Sequence, residues 1–132
     1  MIGLDTNVLV RYITQDDPKQ SARATKLIDS LSVEKPGFIT LVSVVELVWV
    51  LQGCYDATKS EVLSILERLL RAKEMTVENA EVVWQALHAY SSSNADFSDS
   101  LIERSAANAK CIHTVTLDSR AAKSAGMVLL DS

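Results

Sequence analysis

Ile2-Gly3-Leu4-Asp5-Thr6-Asn7-Val8-Leu9-Val10-Arg11-Tyr12-Ile13 is the stretch on which the reading of the chain turns. Its first residues read as a strand, and Val8, Leu9, Tyr12 and Ile13 then recur at the spacing of one helical face. The period changes at Asp5, so a carboxylate stands where a strand ends and a helix begins. That junction is where α/β proteins bind ligands. A carboxylate straight after a buried strand, followed by Thr6 and Asn7, is seldom only structural.

Outward from this unit the alternation continues. Asp17 and Pro18 make a helix start, cap and first position, with Ala22, Ala24, Leu27, Ile28 and Leu31 as the apolar face behind them. Pro36-Gly37 turns the chain into a strand, Phe38-Ile39-Thr40, which leads through Ser43 into an apolar helix ending near Gly53 and carrying Glu46 in its first turn. Thr58 and Glu61 have capping-box spacing ahead of Val62, Leu63, Ile65, Leu66, Leu69 and Leu70, which follow in a 3.6-residue rhythm. A short strand over Met75 to Val77, a helix from Asn79, a polar loop at Ser91 to Asn94 and a helix from Ser98 or Asp99 follow, the last with Leu101, Ile102, Ser105, Ala106 and Ala109 on its buried stripe. Ile112 to Leu117 alternates as a strand ending on Asp118. A short helix closed by Gly126 and a strand at Val128-Leu129-Leu130 complete the chain. Helices alternating with strands predict a parallel sheet covered on both faces. There is no internal repeat or linker, and residues 1–132 read as a single domain.

With 132 residues, 48% of them hydrophobic, one core of useful size can be buried. No secretion signal precedes Ile2. The longest apolar run, Leu41 to Leu51, contains Ser43 and Glu46 and falls short of the roughly 20 residues that span a bilayer, so no membrane partner is expected. Cys54 and Cys111 lack the spacing of a zinc or redox pair and fit a reducing cytoplasm, with buried packing as their expected role. The net charge of −4 runs against a basic nucleic-acid-binding face. Setting aside Asp5, Glu46, Asp99 and Asp118 from the 17 acids leaves as many as the 13 Lys and Arg, so the excess is the size of one acidic cluster, and a divalent cation or two would offset it. The remaining surface has no dense basic patch, and tight sequence-independent binding is not expected.

Four carboxylates gathered without counter-charge repel, so the set makes sense around a cation, and hard oxygen ligands favour Mg²⁺ or Mn²⁺ over zinc. One or two such ions generate hydroxide from water and steady a phosphodiester undergoing hydrolysis. Each acid also has an ordinary reading. Glu46 is at capping-box spacing from Ser43, Asp99 suits a helix N-terminus, Asp118 suits an N-cap, and Asp96 is either an outer ligand or a loop cap. His88 and His113 have no partner spacing and read as structural or surface residues. Trp49 and Trp84 read as core or interface residues, and Arg11, Lys59, Arg68, Arg71 and Lys73 as solvated faces. Arg120, two residues after Asp118, is the cation best placed to meet a phosphate.

Taken together, these segments make the chain closely resemble the PIN-domain family, and within it the VapC-type toxins of toxin–antitoxin pairs. The resemblance rests on Leu4-Asp5-Thr6-Asn7-Val8-Leu9-Val10, Ser43-Val44-Val45-Glu46-Leu47, Ala95-Asp96-Phe97-Ser98-Asp99-Ser100-Leu101-Ile102 and Thr114-Val115-Thr116-Leu117-Asp118, in that order along essentially the whole chain. It implies a three-layer α/β/α sandwich with a mainly parallel central sheet, Mg²⁺- or Mn²⁺-dependent endoribonuclease activity on RNA, a homodimer and inhibition by a cognate antitoxin protein. It assigns Asp5, Glu46, Asp99 and Asp118 to the catalytic metal site, with Thr116 and Asn7 supporting them by hydrogen bonding. A PIN-fold RNA-processing nuclease and a non-catalytic interaction module share the same sequence features. A dehalogenase-like phosphatase needs a second Asp where Asn7 stands, and a receiver domain needs paired acids ahead of its first Asp; neither pattern is present.

Overall fold

The change of period at Asp5 is realised as β1 (Ile2–Gly3) followed by α1 (Thr6–Thr14). In this computed structural model, which describes residues 1–130, the chain forms two compact units, residues 1–78 and residues from 79 onward. The first continues with α2 (Pro18–Asp29), β2 (Gly37–Ile39), α3 (Leu41–Cys54), α4 (Lys59–Arg71) and β3 (Met75–Val77). Its strands lie in the order β1-β2-β3, all parallel, with Gly3 opposite Phe38 and Ile39 opposite Val77. Parallel neighbours need crossover connections, and α1 with α2, then α3 with α4, supply them.

Local chemistry sets the helix ends. The Asp17 side chain accepts from the Gln20 backbone N–H with Pro18 opening α2, and Thr58 and Glu61 form the full reciprocal capping box of α4. The core of this unit is aliphatic: Leu9, Ile39, Leu47 and Val62 are wholly excluded from solvent. Gly37 is a place where only glycine fits without adjustment. A Cβ there would stand 2.8 Å from Leu4 Cδ1 and 2.9 Å from Leu31 Cδ1, so the missing side chain lets Leu4 pack down immediately before Asp5.

The second unit contains α5 (Ala80–Ser91), α6 (Phe97–Asn108), β4 (Val115–Thr116), α7 (Ser119–Ser124) and β5 (Val128–Leu129). Helices α5 and α6 pack together, burying Val83, Ala86, Leu87 and Tyr90 of the one and Phe97 and Leu101 of the other. Tyr90 meets Phe97 edge to face, with ring centroids 5.9 Å apart. Strands β4 and β5 are parallel, joined through α7, and Gly126 after that helix adopts φ +74°, the left-handed conformation expected of a helix-closing glycine.

The chain is therefore mixed α/β with parallel strands, as expected, and several details differ. The hydrogen-bonded strands form one set of three and one of two. The strand expected over 112–117 contracts to Val115–Thr116, because backbone pairing reaches only from the Thr114 and Thr116 carbonyls to the Val128 and Leu130 N–H groups. Helix α6 starts earlier than expected, at Phe97, and Ile102 and Ala109 on its supposed buried stripe are exposed. Cys54 and Cys111 are free and exposed rather than packed inside, and Trp49 lies on the surface at 62% exposure, not in the core. Among the described residues no helix is long and apolar enough to cross a membrane.

Candidate active site

In the first unit the strand-to-helix junction presents Asp5 at the N-cap position of α1 with extended backbone. Its side chain makes no capping bond and is exposed to solvent, so a carboxylate that the helix end would normally use is left available. The next residue, Thr6, is buried at 6% exposure and turns inward. Its hydroxyl donates to Glu46 Oε1 at 2.8 Å and stands 3.2 Å from the Ser43 hydroxyl, which is equally buried. One hydroxyl proton serves one acceptor, and the carboxylate is the stronger. Glu46 thus stays on the surface while one of its oxygens is fixed from below.

This arrangement changes the reading of Glu46. Helix α3 begins at Leu41 and is capped by Thr40, whose side chain accepts from the Ser43 N–H at 3.1 Å. Ser43 is not the cap, Glu46 lies in the second turn, and the Ser43–Glu46 capping box is replaced by a bond from Thr6. Thr6 is the residue that sequence reasoning missed. Its partner is 40 positions away, and only its place in the Asp5-Thr6-Asn7 motif hinted at a role. Asn7 is exposed, and its side chain makes no hydrogen bond among the described residues.

In the second unit three acids share one neighbourhood. Asp96 occupies the N-cap position of α6 without a side-chain capping bond, and Asp99 lies in the first turn of that helix. Partial burial holds the Asp99 carboxyl above its ordinary value, the negative charges of Asp96 and Asp118 push it further in the same direction, and Arg120 opposes them. Asp118 does serve as an N-cap: Oδ1 accepts from the Arg120 N–H at 2.9 Å. The Thr116 hydroxyl accepts from the Asp118 N–H at 3.0 Å, so it supports the backbone of Asp118 rather than its carboxylate. An N-cap uses one carboxylate oxygen, and the other remains for a ligand.

Among the described residues no group of three or more His, Cys, Asp or Glu side chains forms a ready-made metal cage. The donor chemistry around Glu46 in the first unit and around Asp118 in the second nevertheless suits a hard divalent cation, since both sets consist of carboxylate and hydroxyl oxygens. The raised proton affinity of Asp99 comes first from partial burial and then from the like charges of Asp96 and Asp118, and a cation beside it would relieve that repulsion.

Asp5 and Asp118 stand where parallel strands give way to helices and Asp99 lies in the first turn of α6, in a protein of the α/β class. The chain matches the PIN domain model over residues 2–126, and it belongs to that family. PIN domains are nucleases that act on nucleic acids, generally with divalent metal ions. No curated protein matches the chain.

Proposed function

We propose that the protein is a Mg²⁺- or Mn²⁺-dependent endoribonuclease acting as the toxin of a type II toxin–antitoxin pair, with residues 1–132 working as one nuclease domain. The observation that carries the nuclease reading is the match to the PIN domain model over residues 2–126, and it is supported by the partly buried Asp99 carboxyl lying near the negative charges of Asp96 and Asp118. A cation would offset the repulsion there.

On this reading Asp5, Glu46, Asp99 and Asp118 would hold one or two ions. A bound ion supplies Lewis acidity and lowers the pKa of water enough to give hydroxide at neutral pH. The chain's own residues supply the rest. Thr6 fixes one oxygen of Glu46 so that its other oxygen is presented at a constant angle. Thr116 and the Asp118 cap keep the β4–α7 turn in shape. Arg120, which opposes the negative charges around Asp99, would meet a phosphate oxygen of the substrate, and Asp96 would add negative charge beside Asp99. No side chain needs to form a covalent intermediate.

The toxin role, the cognate antitoxin and the homodimer come from the VapC-type resemblance. The exposed Val42 and Trp49, seven residues apart on one face of α3, suit a surface covered by a second copy. The exposed thiols of Cys54 and Cys111 suit the reducing cytoplasm. The test is incubation of the purified protein with total cellular RNA, in Mg²⁺, in Mn²⁺ and in chelator, followed by mapping of the new ends. Discrete cuts that need metal and vanish with Asp5→Asn are expected. Cleavage that persists undiminished in that variant defeats the assignment.

A further inference from the structure

Helices α1 and α2 leave between them a groove of about 450 Å³, lined by Asn7, Val8, Arg11, Gln20, Arg23, Ala24 and Leu27. Asn7 and Arg11 are four residues apart on α1, and Gln20 and Arg23 three apart on α2, so each helix turns one amide and one guanidinium to the same space. Val8, Ala24 and Leu27 form an apolar floor. No carboxylate lines it, which is unusual on a chain of net charge −4. The other large cavity of this unit, about 510 Å³, has Asp29 and Glu74 in its lining as well as Arg68 and so has no excess of positive charge.

The two arginines differ in how they are held. Arg11 is braced and ion-paired: Nε donates to Gln20 Oε1 at 2.7 Å, and Nη1 forms a salt bridge to Asp16 Oδ1 at 3.3 Å and lies 3.2 Å from the Tyr55 hydroxyl. Its Nη2 has no partner among the described residues. Arg23 is exposed and makes no ion pair or hydrogen bond among the described residues, and Asn7 is likewise unpartnered. A braced cation, a free cation and a free amide around an apolar floor fit a phosphate with a ribose or base face beside it. Asn7 is two positions beyond Asp5, and Arg11 stands about 9 Å along the helix from Asp5. The groove therefore begins beside a proposed metal ligand and leads away from it.

We propose that this α1–α2 groove binds a phosphate of the single-stranded RNA flanking the scissile bond, with Arg11 and Arg23 as its cationic ligands. The identity of the polyanion rests on the ribonuclease reading above. The groove itself rests on its lining.

The experiment measures binding without cleavage. A fluorescent single-stranded RNA is titrated with the full-length protein in chelator, by anisotropy, from about 50 to about 200 mM salt. Removing one cation that neutralises a phosphate makes the dependence of log K on log salt shallower by about 0.7 for a single strand. Arg23→Gln is expected to raise Kd several-fold at low salt and to flatten the slope by about that amount. Arg23→Lys is expected to retain most of the slope, and Arg68→Gln in the other cavity to leave it unchanged. An unaltered slope in Arg23→Gln, an equal flattening in Arg68→Gln, or no RNA binding by the wild type overturns the proposal. Cleavage is scored separately with metal. An altered slope without any metal-dependent cleavage keeps the groove and removes the ribonuclease reading; intact cleavage with an unaltered slope does the reverse.

Discussion

The two units handle their acids in opposite ways. In the first, Glu46 is met by a buried hydroxyl, and Asp5 sits at a helix end without capping it. In the second, Asp96, Asp99 and Asp118 act on one another, and only Arg120 and a backbone N–H answer them. One set is pre-organised by hydrogen bonds, and in the other Asp99 is partly buried beside two like charges. A cation would find different things in each: fixed geometry in the first, and like charges to offset in the second.

The largest expected effect comes from Asp5→Asn. If Asp5 holds the metal as proposed, its removal is expected to lower metal-dependent cleavage by more than the roughly 100-fold ceiling typical of supporting residues, while circular dichroism and melting stay near wild type. RNA cleavage rates at saturating metal measure it. Next comes Thr6→Val, which keeps the shape and deletes the proton given to Glu46. A loss of about 10- to 100-fold in activity or metal affinity is expected, with recovery in Thr6→Ser. A Thr6→Val enzyme with wild-type metal dependence would mean that Glu46 needs no fixing, and the contrast between the units would lose its first half.

Asp99→Asn tests the second half by its sign. The folded state raises this carboxyl above its unfolded value, so the charged form is a burden that grows as pH rises through the ordinary carboxylate value towards the raised one. In chelator at neutral pH the variant is expected to melt slightly higher than wild type, and the difference should fade as the pH falls below the ordinary carboxylate range. In excess Mg²⁺ the order should reverse, because wild type gains a ligand-bound state that the variant lacks. Thermal scans at several pH values decide it. The smallest effect belongs to Glu61→Ala, away from either acid set. The capping box lowers the Glu61 carboxyl below 4.5, so its contribution is complete above that pH and lost as pH falls through the lowered value. A small melting difference at pH 7 that disappears in acid is expected.

What was legible in the sequence was local. The Asp17-Pro18 start, the Thr58–Glu61 box and Gly126 each depend on residues three or fewer positions apart, and each is found as read. The strand-to-helix junction at Asp5 was legible for the same reason, since a change of period needs only its neighbours. The bond from Thr6 to Glu46 was not, because it joins two helices whose approach is set by packing rather than by either segment's pattern. The same limit explains why the sequence pattern puts Glu46 one turn too early: Ser43 and Thr40 are both competent caps, and the helix starts after Thr40, the residue that follows β2. Alternation at 112–117 predicted a longer strand than pairing supports, because a strand's extent is decided by its partner.

The exposure of the two thiols has a practical side. The chain has two cysteines, both free, and Cys54 closes the last turn of α3 in the first unit while Cys111 follows α6 in the second. The natural sequence therefore carries one attachment point for a dye or spin label in each unit, with no engineered residue and no competing thiol. Donor and acceptor probes on these two sulfurs turn the separation of the units into a spectroscopic observable. Titrating Mg²⁺ into the labelled protein would then report, through energy transfer alone, whether metal brings both sets of acids to one centre.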